Sequence, residues 1–185
     1  TIKGFTIQSL ATDPYTSTVA AGTWASGNAL NTARSRIAGC GVETSGLAIA
    51  GVNGGPLVDV VEKYDGTSWT EIADVNTARE AGAAATNSPS ATTIFFGGNP
   101  TPLGTNSESW NDTSWSATPA LNTGKGGLGG VGNSSTSALK FGGEPVTAAT
   151  ESWNGSTWTT VNSLNTARAY CPGVGIVTAG LCIGG

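Results

Sequence analysis

Leu30-Asn31-Thr32-Ala33-Arg34 is a phrase that returns as Val75-Asn76-Thr77-Ala78-Arg79, Leu121-Asn122-Thr123-Gly124-Lys125 and Leu164-Asn165-Thr166-Ala167-Arg168. The asparagines stand 45, 46 and 43 residues apart. A period in that range marks one supersecondary unit copied along the chain. Outward from the phrase, other landmarks keep the same phase. A small pair closes an apolar run at Ala50-Gly51, Gly97-Gly98, Gly142-Gly143 and Gly184-Gly185. An acidic residue then stands two before an aromatic: Glu62 and Tyr64, Glu108 and Trp110, Glu151 and Trp153. A second aromatic follows five residues later, at Trp69, Trp115 and Trp158.

Between the paired aromatics lie Asp65-Gly66, Asn111-Asp112 and Asn154-Gly155. Such dipeptides favour positive φ at both central positions of a two-residue hairpin turn. The stretch from the basic residue to the small pair also reads as a hairpin. Its polar links are Val42 to Ser45, Asn87 to Ser90 and Gly132 to Ser135. No segment carries a helical apolar stripe over ten or more residues, and short strands with regularly spaced turns indicate an all-β fold. Four strands per unit of this length form the blade of a β-propeller. The first two strands of each unit are poor in bulk, as in Ala81-Gly82-Ala83-Ala84-Ala85 and Gly126-Gly127-Leu128-Gly129-Gly130. Small residues suit strands that crowd around an axis. The tryptophans suit the space between blades, where each buried ring contributes about 2–3 kcal/mol.

A Gly-Gly pair, a Glu before an aromatic and a Trp five residues on resemble the kelch repeat. The Asn-Thr-Ala-Arg phrase and the very small inner strands depart from the commonest kelch pattern. That variant is similar to kelch-like arrays encoded by marine bacteriophages, where they occur in virion structural and fibre proteins. The resemblance covers about residues 22–185, and the segment Thr6 to Pro14 resembles what precedes those arrays. It implies a non-enzymatic module of a virion or extracellular particle, with other structural proteins or surface glycans as partners.

The units expected are 29–73, 74–119, 120–162 and 163–185 within one propeller domain. Four inner hairpins stand against three outer ones. Residues 1–28, with Phe5 and Ile7 alternating and Gly22-Thr23-Trp24 before the first phrase, are therefore expected to supply the missing outer strands and close four blades. A larger propeller built from several chains or from a longer parent is the alternative.

Composition narrows the chemistry. Charged residues make up 11% of the chain and the net charge is −4, which does not fit a nucleic-acid surface. No apolar run is long enough to insert into a membrane. The chain has no His, which removes the commonest general base and excludes Ser-His-Asp and Cys-His arrangements. Kelch-fold oxidases and propeller sialidases use a His/Tyr copper site or an arginine cluster. Here Arg34, Arg79 and Arg168 occupy a repeated slot, and Arg36 is the only other arginine. No catalytic residue, cofactor or metal is therefore expected. Cys40, Cys171 and Cys182 read as small buried thiols of the inner strands, with Cys171 and Cys182 placed to face each other.

The repeated charges Arg34, Arg79, Lys125 and Arg168, with Glu62, Glu108 and Glu151, are expected to be architectural, pairing with each other or with carbonyls to lock strand register. So are Trp69, Trp115 and Trp158. Candidate glycan or partner contacts are Tyr64, Trp110 and Trp153 beside Asp65, Asn111 and Asn154, an aromatic with hydroxyl-binding neighbours in each unit. Sequons at Asn111, Asn133 and Asn154 are candidate N-glycosylation sites. The function expected first is structural or adhesive contact, carried by the links Val52 to Pro56, Asn99 to Thr105 and Glu144 to Ala149, which differ between units. A lectin-like receptor-binding propeller and a general kelch interaction module are the alternatives.

Overall fold

The computed structural model describes residues 27–100 and 103–185. The closing strands expected within residues 1–28 lie outside these residues, apart from Gly27 and Asn28. Among the described residues fourteen strands run in the order β1 (Ala38–Val42), β2 (Ser45–Val52), β3 (Leu57–Tyr64), β4 (Trp69–Ile72), β5 (Ala83–Ala84), β6 (Thr93–Phe96), β7 (Ser107–Trp110), β8 (Trp115–Ala117), β9 (Gly129–Ser134), β10 (Ser137–Phe141), β11 (Thr150–Trp153), β12 (Trp158–Val161), β13 (Gly173–Ile176) and β14 (Ala179–Cys182). A single turn of 3-10 helix, Leu103–Thr105, is the only helical element among the described residues.

Each repeat folds as the period requires. β1 to β4, β5 to β8 and β9 to β12 form three four-stranded antiparallel sheets, paired in chain order, and β13 with β14 forms a two-stranded fourth. The succession is propeller-like. Apolar residues alternate along each second strand, so one set faces the sheet before and the other the sheet after. Leu47, Ile49 and Val61 of the first unit thus share a core with Phe95, Trp110 and Trp115 of the second. Ile94 and Phe96 of the second unit pack with Leu128, Trp153 and Trp158 of the third. Val131 and Phe141 of the third pack with Cys171 and Cys182 of the fourth. The core therefore lies between sheets.

Small inner residues permit this approach. A Cβ on Gly130 would come within 2.8 Å of the Ala84 carbonyl oxygen, and one on Gly173 within 2.3 Å of the Gly130 carbonyl oxygen. Backbone hydrogen bonds then stitch one unit to the next at repeated positions. The amides of Gly51, Gly98 and Gly143 donate to the carbonyls of Arg79, Lys125 and Arg168 at 3.0, 2.8 and 2.9 Å. Those of Val75, Leu121 and Leu164 donate to Asp59, Thr105 and Ala148 at 3.1, 2.9 and 2.9 Å.

The aromatic pairs are cross-strand neighbours. Tyr64 faces Trp69, Trp110 faces Trp115 and Trp153 faces Trp158 in register. Their rings lie 5.0, 5.3 and 5.4 Å apart at similar tilts. The connecting tips are wider than the two-residue turn expected. Four residues intervene, and only Gly66, Asp112 and Gly155 have positive φ. The preceding side chain does the closing: the Oδ1 atoms of Asp65, Asn111 and Asn154 each accept two backbone amides. In the third inner hairpin the turn falls at Ser135 and Thr136, later than the link expected, so Asn133 belongs to β9.

Trp115 and Trp158 are buried, as expected, whereas Trp69 is half-buried. No described sheet lies on the side of the first unit that Trp69 faces. Trp115→Ala is expected to cost about 3–5 kcal/mol in chemical denaturation, as a core truncation. Trp69→Ala should cost less than about half of that, since its ring forfeits less buried area. Equal losses would show that the first unit is covered as fully as the second.

Candidate functional site

The repeated acid on each third strand is buried: Glu62, Glu108 and Glu151 are 0%, 3% and 1% exposed. Each sits opposite a second-strand residue, namely Ala48, Phe95 and Lys140. Each carboxylate receives the phrase that opens its own unit. The Asn31, Asn76 and Asn122 amides donate to Glu62, Glu108 and Glu151 at 2.7, 2.8 and 2.7 Å. Thr32 and Thr123 add amides at 3.2 and 3.0 Å. The asparagine side chains donate to the carbonyls of Trp69, Trp115 and Trp158. The phrase is thus pinned to both outer strands.

A buried cation completes each clamp. Arg34 Nη1 donates to Glu62 Oε1 at 2.6 Å, and its Nη2 reaches the Ala48 carbonyl at 3.0 Å. Arg79 donates to Glu108 and to the Gly97 carbonyl, and its guanidinium lies 4.1 Å from the centre of the Phe95 ring. Burial pushes the Arg79 pKa down, against the opposing effect of Glu108. The third unit departs from the expected pairing. Lys125 turns away, its Nζ donating to the Pro145 carbonyl at 3.3 Å. The partner of Glu151 is Lys140, 3.3 Å away and fully buried. Lys140 occupies the strand position held by Ala48 and Phe95, so a cation on β10 replaces the one lost from the phrase. Burial also lowers its pKa, while Glu151 works the other way. In the fourth unit Arg168 Nη1 donates to the Gly184 carbonyl at 2.5 Å. These repeated charges serve the frame.

The aromatics proposed as stacking platforms are placed otherwise. Trp110 and Trp153 are 2% exposed, so their faces are closed to a sugar by packing against Trp115, Trp158 and the adjoining sheet. Their indole N–H groups donate to the Ser90 and Ser135 carbonyls. Tyr64 is half-buried beside Trp69. Asp65, Asn111 and Asn154 are exposed at the tips but spend Oδ1 on turn closure. Asn133 is exposed.

The variable positions gather at the opposite end of the sheets. The phrase enters each first strand at the end where each second strand leaves, as the bridges Ser35 to Val52, Glu80 to Asn99 and Gly126 to Glu144 require. The links after the second strands therefore share an end with the phrases. Asn53 to Pro56 and Glu144 to Val146 are exposed there. Two residues past each basic residue stands a position unremarked in the sequence: Arg36, Ala81, Gly127 and Tyr170. All four have φ between 53° and 58°. Ala81, Gly127 and Tyr170 donate in turn to the carbonyls of Arg36, Ala81 and Gly127, at 2.9, 2.7 and 2.6 Å. This chain of bonds borders a cavity of about 320 Å³ lined by the first strands of all four units. Its rim carries the Arg36–Glu80 ion pair at 2.7 Å and Tyr170, which is 62% exposed. A signal was present: this position, like those on either side of it, differs in every unit.

Among the described residues no His, Cys, Asp or Glu cluster suited to a metal occurs. The three cysteines are free thiols. Cys171 lies two residues before β13 rather than within it, and packs with Cys182. Burial and the neighbouring Cys182 push its thiol up to about 12.

The swapped clamp gives a direct test. Lys140→Met is expected to cost about 3–5 kcal/mol, because it leaves Glu151 buried without its cation. Lys125→Met, though it alters the repeated slot, should stay within about 0.5 kcal/mol. Urea melts of the two variants check this, and a larger loss at Lys125 would reverse the assignment. Comparison of the chain with protein-family models and with curated proteins finds no match.

Proposed function

We propose that the chain is a set of kelch-like propeller blades acting as a non-enzymatic structural or adhesive module, in the manner of a virion or extracellular particle component. Contact with protein or glycan falls on the cavity rim and the links after the second strands. One observation carries this. The repeated polar residues are consumed in buried clamps, while the residues that differ between units, Arg36, Tyr170, Asn53 to Pro56 and Glu144 to Val146, share one end. A rigid frame with variable loops at one end suits recognition. The mixture of a guanidinium, an open phenol ring and short polar loops suits a polar surface.

Beads coated with the chain, applied to a glycan array and to cell monolayers, test the proposal. Attachment is expected, and Arg36→Ala with Tyr170→Ala should lower it at least about tenfold. Asp65→Asn, Asn111→Asp and Asn154→Asp keep the turn-closing oxygen but change charge at the opposite tips, and should leave attachment unchanged. Loss confined to the tip variants would overturn the proposal, as would no attachment on either surface.

A further inference from the structure

The fourth unit presents a receptor whose counterpart is filled in each of the other three. β2, β6 and β10 each pair on their outer side with a third strand, whereas among the described residues β14 pairs with β13 alone. Leu181 and Ile183 are 64% and 51% exposed, while Leu47 and Ile49, at the same positions, are 2% and 0%. The phrase is also unfilled. Arg34 and Arg79 have side chains that are 0% exposed against a glutamate. Arg168 is partly exposed, and among the described residues the only partner of its side chain is a carbonyl. Asn165 and Thr166 are exposed, and their amides meet no acceptor among the described residues. Strand edge, apolar patch, guanidinium and amides thus coincide.

We propose that β14 and the Asn165–Arg168 phrase bind an outer hairpin of the repeat's own type from outside these 185 residues, and that its recognition element is a glutamate two residues before an aromatic. The register follows from the filled units. Glu62, Glu108 and Glu151 lie opposite Ala48, Phe95 and Lys140. The incoming glutamate therefore lies opposite Cys182 and its aromatic opposite Gly180. Backbone pairing supplies the contact, and the carboxylate supplies the register.

Charge and sequence select this occupant over the two nearer ones. Residues 1–26 contain no Glu, and their single acid, Asp13, precedes Pro14, which has no N–H for a sheet ladder. A second copy offers Glu62, Glu108 and Glu151, each committed in its own sheet. Its other glutamates, Glu43, Glu71, Glu80 and Glu144, do not stand two before an aromatic.

The probe is a synthetic peptide with the sequence of residues 147–162, added to the full chain and followed by calorimetry and by amide shifts. Saturable binding is expected, with shifts at β14 and at Asn165 and Thr166. Glu151→Gln in the peptide should weaken it at least about tenfold, a charge-assisted bond of roughly 1.4 kcal/mol or more. Arg168→Ala in the chain should do the same, and the two together should lose little more than either alone. The peptide variant leaves the folding of the chain untouched. Absence of binding at millimolar peptide, or binding indifferent to both changes, would overturn the proposal. Binding gained only in Asp13→Asn would assign the receptor to the chain's own N-terminal segment. A dimer in sedimentation without peptide would assign it to a second copy. Either result would equally overturn it.

Discussion

The buried carboxylate on each third strand is the constraint on which the repeat depends. Three charged groups are taken from water in turn, and each is held by backbone amides of the phrase and by a cation. Desolvating such a pair is costly, so its worth lies less in net stability than in the strong penalty for breaking it. A strand shifted by one residue would turn the glutamate to the other face of its sheet, away from the phrase and its cation, and the phrase would lose its anchor. The clamp also sets where the chain enters the next first strand. From there follow the inter-unit hydrogen bonds at Gly51, Gly98 and Gly143, and with them the spacing that leaves room for Trp115 and Trp158.

The third unit shows that the requirement is for buried positive charge, not for a residue at a fixed place. Lys125 keeps its slot in the phrase but lacks the fork with which Arg34 reaches both Glu62 and the Ala48 carbonyl. Lys140 comes instead from the facing strand, at the position where Phe95 underlies Arg79. A buried lysine on a second strand would look like an error in isolation. Beside Glu151 it is the second half of a paired change.

Much of this was legible in the sequence, and the limits have physical causes. The repeat phase, with regularly spaced turns and no helical apolar stripe, was enough for an all-β repeat, whereas a period of this length alone suits helical repeats as well. The pairing of the repeated acid and base was legible for the first two units, but Lys140 was not, since it lies outside the repeated slots and its burial depends on its partner. The aromatics were ambiguous because five-residue spacing sets both rings on one face without saying whether that face meets solvent. In the second and third units a neighbouring sheet covers them, and for Tyr64 and Trp69 no described sheet does. The tips misled for a different reason: Asp-Gly and Asn-Gly serve two-residue turns and side-chain-closed loops of four alike. The rim position at Arg36 and Tyr170 went unread because variation also occurs in the links after the second strands, and sequence alone does not show which varying positions border the cavity.

The chain thus divides into a frame with the repeated glutamates and their cations inside and residues that vary between units at one end. The claim beneath that division is that the phrase is held by a buried carboxylate although its asparagines are themselves exposed. Hydrogen exchange of the Asn76 and Asn122 backbone amides tests it most directly. Both amides donate to the acid of their unit, at 2.8 and 2.7 Å, from residues that are solvent-exposed. The account predicts exchange as slow as that of core amides such as Phe96, through global unfolding. Exchange as fast as at the hairpin tip residues Thr113 and Ser114 would contradict it.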